Sequence, residues 1–545
     1  MNGEALMQRH DTLVSYRSPW EPLWERVSQL VLPRANDFGG FSNGQQRNLQ
    51  QYDSFPMGAL DKFAAAIEAG LMPRQSIWHY LSTGIDELDE QREVKIYLEE
   101  LNRLLWRARY SPLGNFTAQA HEVRLSLGLF GTGPMLIEQG KNGGIKYRAI
   151  HLSETWIDES ADGVVDTVHR KFELSARQAV QMFAEKTPDK VLKQYNAGKI
   201  HERFEFLHCV APREDYEQGR LDMQGMPIAG YYVFCDDKQV VREDGYYETP
   251  YVVPRYSVST RERYGRSPAV MRLPDISMLN EMKRTMIEAA AMAVDPPSLT
   301  ADDVSEFDLQ AGTINPGTLD ENGRPRVVPY QSGTQPGIGL DLMAATRDQI
   351  DDGFLGLYFR VLLENPNMTA TQAMLIAQQQ GQMTTPVIGR LQSEWLAPMI
   401  RRESAILYRQ GKHPEMPPAL REYLEDEQSP LEIEYVSPLT RAARAEELIG
   451  IARSFEMLAP IAQIDPTVFE GINGREIAKL TFDVNGVSPK IMATAQEMEA
   501  KKQQDEAMAE MAALLEAAPI AAQTAKTLAE TQRIAGSQPS VPGAA

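Results

Sequence analysis

A stretch rich in proline, glycine and aspartate lies between two helical segments, and this arrangement limits how the chain can fold. Apolar residues recur at helical spacing over residues 279–294, and Pro296 with Pro297 must end that helix. A second helical pattern covers residues 340–362. Its predicted buried face consists of Met343, Ile350, Phe354 and Leu357. The sequence therefore predicts two helices joined by an excursion at residues 298–339.

Helical patterns also dominate the first part of the chain. Residues 5–32 carry apolar side chains at helical spacing, and a polar loop follows at residues 37–51. Ser54 is placed to cap the next helix, which has Gly70 near its end. Two further amphipathic helices are predicted at residues 87–109 and 115–129.

From residue 131 to residue 261 the pattern changes to strands and turns. Alternating, β-branched and aromatic residues are separated there by breakers such as Asp162-Gly163, which indicates sheet structure. One helix, at residues 175–183, interrupts the strands, and another strand is predicted at residues 431–436. The predicted fold class is therefore α+β and mainly helical, with more than one core in 545 residues.

The last third of the chain is predicted to be mostly helical. A long helical run covers residues 369–411, beginning with a capping box of Thr369 and Gln372. Pro386 and Pro398 must bend or break this helix.

Charge and cysteine content limit the partners and the compartment. The formal net charge is −20, which argues against tight phosphate binding over a large surface without excluding DNA as a partner. The two cysteines, Cys209 and Cys235, form no C-x-x-C motif, so we expect free thiols in a reducing compartment. The N-terminus has no signal pattern, and no apolar run approaches the ~20 residues that span a bilayer. We therefore expect a protein that is made and assembles in the cytosol, without a membrane partner.

The sequence contains none of the common catalytic motifs. It has no phosphate-binding loop, no metalloprotease motif, no nucleophile elbow and no zinc spacing. The glycines around Gly131 predict a tight turn after a helix, because Leu136 stands where a dinucleotide site needs a third glycine. His169 is expected on a sheet surface, and Asp351-Asp352 on a solvated helix face, since adjacent helical side chains diverge by about 100°. No catalytic residue, metal or cofactor is predicted.

Several short motifs occur in a fixed order along most of the chain. In the first half they are Leu32-Pro33-Arg34, Tyr52-Asp53-Ser54, residues 59–73 with Trp78 after them, Phe130-Gly131-Thr132-Gly133 and residues 162–178. In the second half they are Tyr264-Gly265-Arg266-Ser267-Pro268, Leu279-Asn280, Asp295-Pro296-Pro297, residues 368–372, Glu394-Trp395-Leu396-Ala397-Pro398 and residues 435–439. Together they resemble the head-to-tail connector (portal) family of short-tailed bacteriophages over about residues 10–500. The family usually has Thr-Gly after the serine, where this chain has Phe55-Pro56.

The resemblance implies an elongated portal-type subunit in a dodecameric ring. Its implied parts are a wing (1–270), stem helix 1 (271–297), a clip (298–339), stem helix 2 (340–362), a tunnel loop (363–368), a wing spine helix with a returning strand (369–440), crown helices (441–534) and a disordered tail (535–545). Such a ring sits at one capsid vertex of the virion after assembly in the host cytoplasm. It docks the terminase motor, conducts double-stranded DNA and binds tail proteins.

The resemblance also implies candidate site residues and partners. The DNA-proximal candidates in the tunnel loop are Leu363, Glu364, Asn365, Asn367 and Met368. The channel-facing candidates in the stem are Lys283, Arg284, Asp341, Asp348 and Asp351. The clip candidates for motor or tail contact are Asn315, Asp320, Glu321, Arg324 and Arg326. The implied partners are further copies of the chain, the terminase motor, major capsid and scaffolding proteins, and tail adaptor and internal core proteins.

Helix dimensions permit such a channel. Twelve helices at about 10 Å spacing enclose a circle of about 120 Å, which leaves a lumen about 28 Å wide after the side chains. Exposed aspartates on the second stem helix would repel DNA and keep sliding easy, while Lys283 and Arg284 could supply weak contacts. Two alternatives are open at this point: the stem charges could form ion pairs between neighbouring subunits, and residues 363–368 could be an ordinary helix connector.

Two other functions compete with a portal. A head-completion, adaptor or internal core protein without a DNA channel would fit the helical content and the negative charge equally well. It would not need the helix–excursion–helix arrangement at residues 279–362. An enzyme such as a packaging nuclease or ATPase conflicts with the missing phosphate loop and the missing carboxylate clusters.

Overall fold

The computed structural model describes a large part of the chain. The described residues are 2–38, 50–74, 76–89, 91–140, 143–294, 298–300, 318–320, 322, 324–329, 336–356, 386–427, 431–436, 450–458, 460, 474, 477, 478 and 481. They belong to two compact units, one formed by residues 1–82 with 97–443 and the other by residues 83–96 with 444–545. In the second unit the Thr83 hydroxyl donates to Asp89 over 2.8 Å, and residues 450–458 are helical.

The described residues contain helices in both units. They are α1 (Gly3–Arg17), α2 (Glu21–Val31), α3 (Phe55–Leu71), α4 (Asp86–Asp89), α5 (Arg92–Arg109), α6 (Phe116–Phe130), α7 (Ala176–Phe183), α8 (Asp189–Asn196), α9 (Pro268–Met271), α10 (Leu273–Val294), α11 (Pro336–Gly353), α12 (Ala397–Arg409) and α13 (Pro418–Glu427). A π-helical turn at Gln392–Leu396 directly precedes α12 and Pro398.

The strands form antiparallel sheets. They are β1 (His79–Ser82), β2 (Met135–Gln139), β3 (Ile145–Ala149), β4 (Thr155–Glu159), β5 (Val165–Ser175), β6 (Arg203–Pro212), β7 (Ile228–Phe234), β8 (Gln239–Tyr246), β9 (Tyr251–Val252), β10 (Ser298–Thr300), β11 (Val327–Pro329) and β12 (Glu432–Tyr435). The largest sheet has the order β4-β5-β6-β7-β8, and β3-β2-β9 forms a second one. β1 pairs with β12, and β10 pairs with β11.

The five-stranded sheet is covered on both faces. Phe204 and Phe206 of β6 belong to a buried cluster with residues of α7 and α8. Leu207 and Cys209, which point the other way in a strand, belong to a second cluster with Leu6 of α1. This packing explains why β6 is predominantly apolar rather than alternating.

The fold class and the strand region agree with the sequence. Helices and sheets mix as predicted, and residues 131–261 contain eight of the twelve strands of the described residues. The turn around Gly131 is also confirmed, because this glycine ends α6 with φ +84°, a left-handed conformation that a side chain would strain. Among the described residues, no helix is both long and apolar enough to cross a membrane.

Several predicted helix boundaries were wrong. Residues 5–32 form two helices, α1 and α2, because Pro19 interrupts the hydrogen-bonding pattern between them. The pattern over residues 87–109 likewise divides into α4 and α5. The helix predicted at residues 340–362 runs from Pro336 to Gly353, and Leu355 then adopts a left-handed φ of 61°. Residues 363–368, the capping box at Thr369 and the tail at 535–545 lie outside the described residues.

Two predictions about single side chains were also wrong. Ser54 makes no capping hydrogen bond, and Asp53 Oδ1 instead accepts from the Phe55 amide over 2.8 Å. His169 is not on the sheet surface but 2% exposed, because α1 covers that face of the sheet.

Candidate assembly surface and its anchor

Helices α10 and α11 form an antiparallel pair in close contact. A Cβ atom on Gly339 would lie 3.1 Å from Met286 Sδ, and one on Gly353 would lie 2.6 Å from Arg272 Cγ. The beginning of α11 therefore lies beside the later part of α10, and its end lies beside Arg272. The predicted buried face of α11 is confirmed, since Met343, Ile350 and Phe354 are almost fully buried, whereas Leu357 lies outside the described residues.

Asn280 ties α10 to the segment before α3. Its Oδ1 accepts from the Tyr52 amide over 2.7 Å, and its Nδ2 donates to the Gln50 carbonyl over 2.9 Å. Asn280 and Asp53 are both buried. The motifs Tyr52-Asp53-Ser54 and Leu279-Asn280, far apart in the sequence, thus meet at the start of the exposed part of α10.

Two ion pairs tie α11 to the same region. Arg347 donates to Asp53 Oδ2 over 2.7 Å, and Lys62 of α3 donates to Asp351 over 3.0 Å. Asp351 is only 4% exposed, so the predicted exposure of this carboxylate was wrong. We call the group Gln50, Tyr52, Asp53, Lys62, Asn280, Arg347 and Asp351 the stem anchor.

Beyond the stem anchor, the helix pair leaves apolar side chains uncovered. Their exposed fractions are 49% for Ile287, 51% for Met292, 87% for Val294, 55% for Leu340 and 51% for Leu342. We call these five residues the stem apolar surface. These side chains would lose their contact with water if the helix pair packed against another subunit.

Charged residues accompany the stem apolar surface. Arg284 is exposed, and its guanidinium lies 3.0 Å from Glu281 and 3.9 Å from Glu288 on the same helix. Lys283 is half-buried, while Asp341 and Asp348 are exposed on α11. The structure therefore brings four of the five predicted stem residues onto exposed or partly exposed positions of one helix pair.

The predicted clip residues are described only in part. Asp320 Oδ1 accepts from the Asn322 and Arg324 amides over 2.9 and 2.7 Å, and the Arg326 amide donates to the Thr318 carbonyl over 2.7 Å. These bonds close a turn just before β11. Asn315 and Glu321, like the tunnel-loop residues Leu363 to Met368, lie outside the described residues.

Two glycine motifs pack directly against each other. Gly131 and Gly265 approach so closely that a Cβ atom on either would overlap the backbone of the other. The Gly265 amide donates to the Thr132 hydroxyl over 2.9 Å, and the Ser267 hydroxyl donates to the Leu129 carbonyl over 2.8 Å. These contacts join the end of α6 to the start of α9, from which α10 follows.

Arg255 connects the sheet region to the π-helical turn. Its guanidinium bonds Glu394 over 2.7 Å, pairs with Glu159, and donates to the Arg263 and Gly163 carbonyls over 3.0 Å each. The side chain is 1% exposed, so its charge depends on these partners. Glu394 belongs to the Glu394-to-Pro398 motif, which explains the need for a carboxylate there.

Arg109 and Glu403 form a fully buried ion pair. Arg109 Nη2 lies 2.6 Å from Glu403 Oε2, and the Tyr147 hydroxyl donates to Glu403 Oε1 over 2.7 Å. Burial, together with the Arg109 charge, holds the pKa of His79 well below its usual value. The neutral His79 Nε2 therefore accepts the 2.8 Å hydrogen bond from Arg109.

Sequence reasoning missed these buried pairs. The burial of Glu403 could have been predicted, because this residue stands between the apolar positions Ile400 and Ile406 of an amphipathic helix. Its partner could not be deduced, since Arg109 lies 294 residues earlier. In the part of the chain that the structure describes, no group of three or more His, Cys, Asp or Glu side chains is placed to hold a metal ion.

These features describe an α+β protein with a helix pair that is anchored at one end and exposes apolar side chains beyond the anchor. The chain matches the family described as bacteriophage head to tail connecting protein over residues 3–492. It belongs to that family, whose members are structural components of the phage particle. The resemblance found in the sequence motifs is thereby confirmed.

Two curated relatives agree with this family assignment. The chain is 24% identical over 548 residues to the portal protein of Salmonella phage epsilon15, covering 97% of this chain and 96% of the relative. It is 26% identical over 534 residues to the probable portal protein of Bordetella phage BPP-1, covering 94% and 93%.

Two similar solved structures come from gene transfer agent particles. One is the virion of a native particle, at 12% identity and a TM-score of 0.36, covering 80% of this chain and 90% of that one. The other is the neck of an empty particle computed with C6 symmetry, at 13% identity and a TM-score of 0.39, covering 85% and 94%. The family assignment rests on the sequence matches.

Proposed function

We propose that this chain is the subunit of a portal ring at one vertex of a phage capsid. In the ring, the α10–α11 pairs of neighbouring copies pack side by side around a channel for double-stranded DNA. Two relatives named as a portal protein and a probable portal protein, each aligned over more than nine-tenths of the chain, support this role.

The stem apolar surface is the observation that carries the proposal. Five apolar side chains on a firmly anchored helix pair are between 49% and 87% exposed in the single chain. Fully burying a side chain of this kind contributes about 1.5–3 kcal/mol. A surface that packs against a different surface of the next copy builds a closed ring when the rotation between copies closes.

The charges of the stem suit a channel through which DNA must slide. Asp341 and Asp348 are exposed on α11, and on α10 the charge of Arg284 is offset by its ion pairs with Glu281 and Glu288. Carboxylates facing the lumen would repel phosphates and oppose tight binding.

Further parts of the proposal come from the family resemblance. The ring has twelve subunits by that resemblance, and residues 363–368 form the loop that approaches DNA. Residues 298–339 contact the terminase motor or tail proteins, and capsid, scaffolding and internal core proteins complete the partners. The protein assembles in the host cytoplasm and acts as a conduit without enzymatic activity.

Native mass spectrometry and negative-stain imaging of the full-length protein test the proposal. Wild type is expected to form rings of about twelve copies with a central hole, as about 10 Å helix spacing around DNA requires. The double variant Ile287→Asp/Leu342→Asp is expected to yield single subunits with unchanged circular dichroism, because both side chains are exposed. Leu221→Asp is the matched control, since Leu221 is fully exposed outside the stem.

Each outcome of this experiment has a clear meaning. A monomeric wild type, or a double variant that still forms rings, would contradict assembly through the stem apolar surface. Particles without a central hole would favour a head-completion, adaptor or internal core protein.

A further inference from the structure

A cavity of about 580 Å³ lies between α1 and one face of the five-stranded sheet. Leu6, Arg9 and Leu13 of α1 line one side, and residues of β4 to β7 line the other. The cavity is open to solvent, and its volume is typical of sites that hold a small molecule or a large side chain. None of the stem residues belongs to it.

His169 is a buried polar side chain without a hydrogen bond at the wall of this cavity. It is 2% exposed and lines the cavity, and its Nδ1 is buried without a hydrogen-bond partner among the described residues. Its ring contacts are to His10, at 5.7 Å between centroids. Burial lowers the pKa of His169 to about 3, so that the ring is neutral and offers one donor and one acceptor. Since buried polar groups normally have partners, this ring indicates a missing hydrogen-bonding group.

The charged residues around the cavity compensate one another. Arg263 pairs with Asp158 at 3.0 Å, Arg213 lies 3.6 Å from Asp215, and Arg9 pairs with Glu214. All six residues line the cavity, so that three positive charges face three negative ones. A phosphate or another anion would meet three carboxylates there, and the cavity therefore favours an uncharged group.

The rest of the lining is largely apolar. It includes Leu6, Leu13, Cys209, Ala229 and Tyr231. Leucine or phenylalanine in the cavity would leave His169 without a partner, and serine or threonine would fill little of its volume. Tyrosine and tryptophan combine a large apolar body with one polar atom, and they are enriched in the buried centres of protein interfaces.

We propose that this cavity, hereafter the α1 cavity, binds a tyrosine or tryptophan side chain of a partner polypeptide. The aromatic body contacts the apolar lining, and the hydroxyl or indole N–H forms a hydrogen bond with His169. The three ion pairs at the cavity flank the main chain of the incoming segment. This docking site is separate from the stem apolar surface and does not depend on ring formation.

Binding of side-chain analogues to the full-length protein tests the proposal. By ligand-observed NMR titration, p-cresol is expected to bind about five- to tenfold more tightly than toluene, the value of one hydrogen bond. The variant His169→Phe keeps an aromatic ring beside His10 but removes both nitrogens. In this variant the preference for p-cresol is expected to vanish.

A matched pair of variants on α1 tests the location. Thr12 lines the cavity and is exposed, whereas Gln8 is exposed on the same helix and does not line it. Thr12→Trp is expected to block p-cresol binding, and Gln8→Trp is expected to leave it unchanged. Both substitutions add the same side chain to the same helix, so a general disturbance of α1 would affect both variants.

A third probe separates a polypeptide from a free small molecule. N-acetyltyrosinamide carries the phenol on a peptide main chain and is expected to bind at least as well as p-cresol. Exclusion of this probe while p-cresol binds would overturn the proposed polypeptide partner. Equal binding of p-cresol and toluene, binding that survives both His169→Phe and Thr12→Trp, or no binding by any probe would overturn the site itself.

Discussion

Buried charged side chains in this chain have partners on distant segments. Arg109 pairs with Glu403, Arg255 with Glu394, and Arg17 donates to the carbonyls of Leu152 and Thr155 over 2.9 and 2.8 Å. Leaving one such charge without its partner costs about 3–5 kcal/mol. These pairs therefore restrict which segments can meet, because a mispaired arrangement would bury an uncompensated charge.

Two buried histidines should make the packing of α1 sensitive to acid. His10 is 4% exposed, and burial, followed by the Lys171 charge, lowers its pKa to about 4, while burial lowers the pKa of His169 to about 3. Both values lie below the usual 6.5 of an unfolded chain, so the native state resists protonation. The stability is full above pH 6.5 and falls as the pH drops from 6.5 towards 4.

Hydrogen exchange of the α1 amides measures this effect. Between pH 7.5 and pH 5, the protection is expected to fall by about 2 kcal/mol for each histidine, after correction for the intrinsic exchange rate. His10→Phe should remove about half of the pH dependence, because it keeps the ring contact with His169 but cannot be protonated. His201 is exposed, and His201→Phe should leave the dependence unchanged. A pH-independent protection of α1 in the wild type would contradict the account.

At the scale of elements, periodicity in the sequence predicted most helices but not where they end. The buried stripe of α11 was correct at Met343, Ile350 and Phe354, because burial follows directly from helical spacing. The end of α11 was not predicted correctly, because Gly353 packs against Arg272 and no nearby residue in the sequence indicates that contact. Strand β1 was missed entirely, since its four residues pair with β12, more than 340 residues later.

The contacts of the stem anchor also could not be predicted from the sequence. Asn280 and Asp53 were part of recognisable motifs, but the sequence did not show that they meet. Their contact depends on α3, α10 and α11 packing together, which is a property of the tertiary fold. Asp351 was assigned to an exposed face for the same reason, since Lys62 on α3 could not be identified as its partner from spacing.

Removing the Asn280 side chain should destabilise the contact between α10 and the segment before α3. Asn280→Ala removes the partner of the Tyr52 amide and of the Gln50 carbonyl in two partly buried hydrogen bonds. A hydrogen bond contributes about 0.5–1.5 kcal/mol, so exchange of the Tyr52 amide is expected to accelerate up to about tenfold. Asn196→Ala, an exposed asparagine at the end of α8, is the control. Unchanged exchange at Tyr52 in Asn280→Ala would show that the segment is held by other contacts.

For the molecule as a whole, negative charge is the property that separates a DNA conduit from a DNA-binding protein. The chain carries a net charge of −20, and the proposed ring would repeat the charge of each channel-facing residue in every subunit. Asp341 and Asp348 are exposed on the proposed channel wall. We therefore expect the wild-type ring to retain double-stranded DNA only weakly at physiological salt.

Reversing these two charges should make the proposed ring bind double-stranded DNA more tightly. Asp341→Lys/Asp348→Lys raises the net charge of each chain by four. The affinity of the ring for double-stranded DNA should therefore increase, and it should fall steeply as the salt concentration is raised, as counterion release requires. Filter binding between 50 and 300 mM NaCl measures the slope. The control Asp162→Lys/Asp237→Lys adds the same charge at exposed positions in the sheet region, far along the chain from α11. Equal binding of DNA by both variants would mean that the total charge, and not its position, determines the affinity. The assignment of Asp341 and Asp348 to the channel wall would then be wrong.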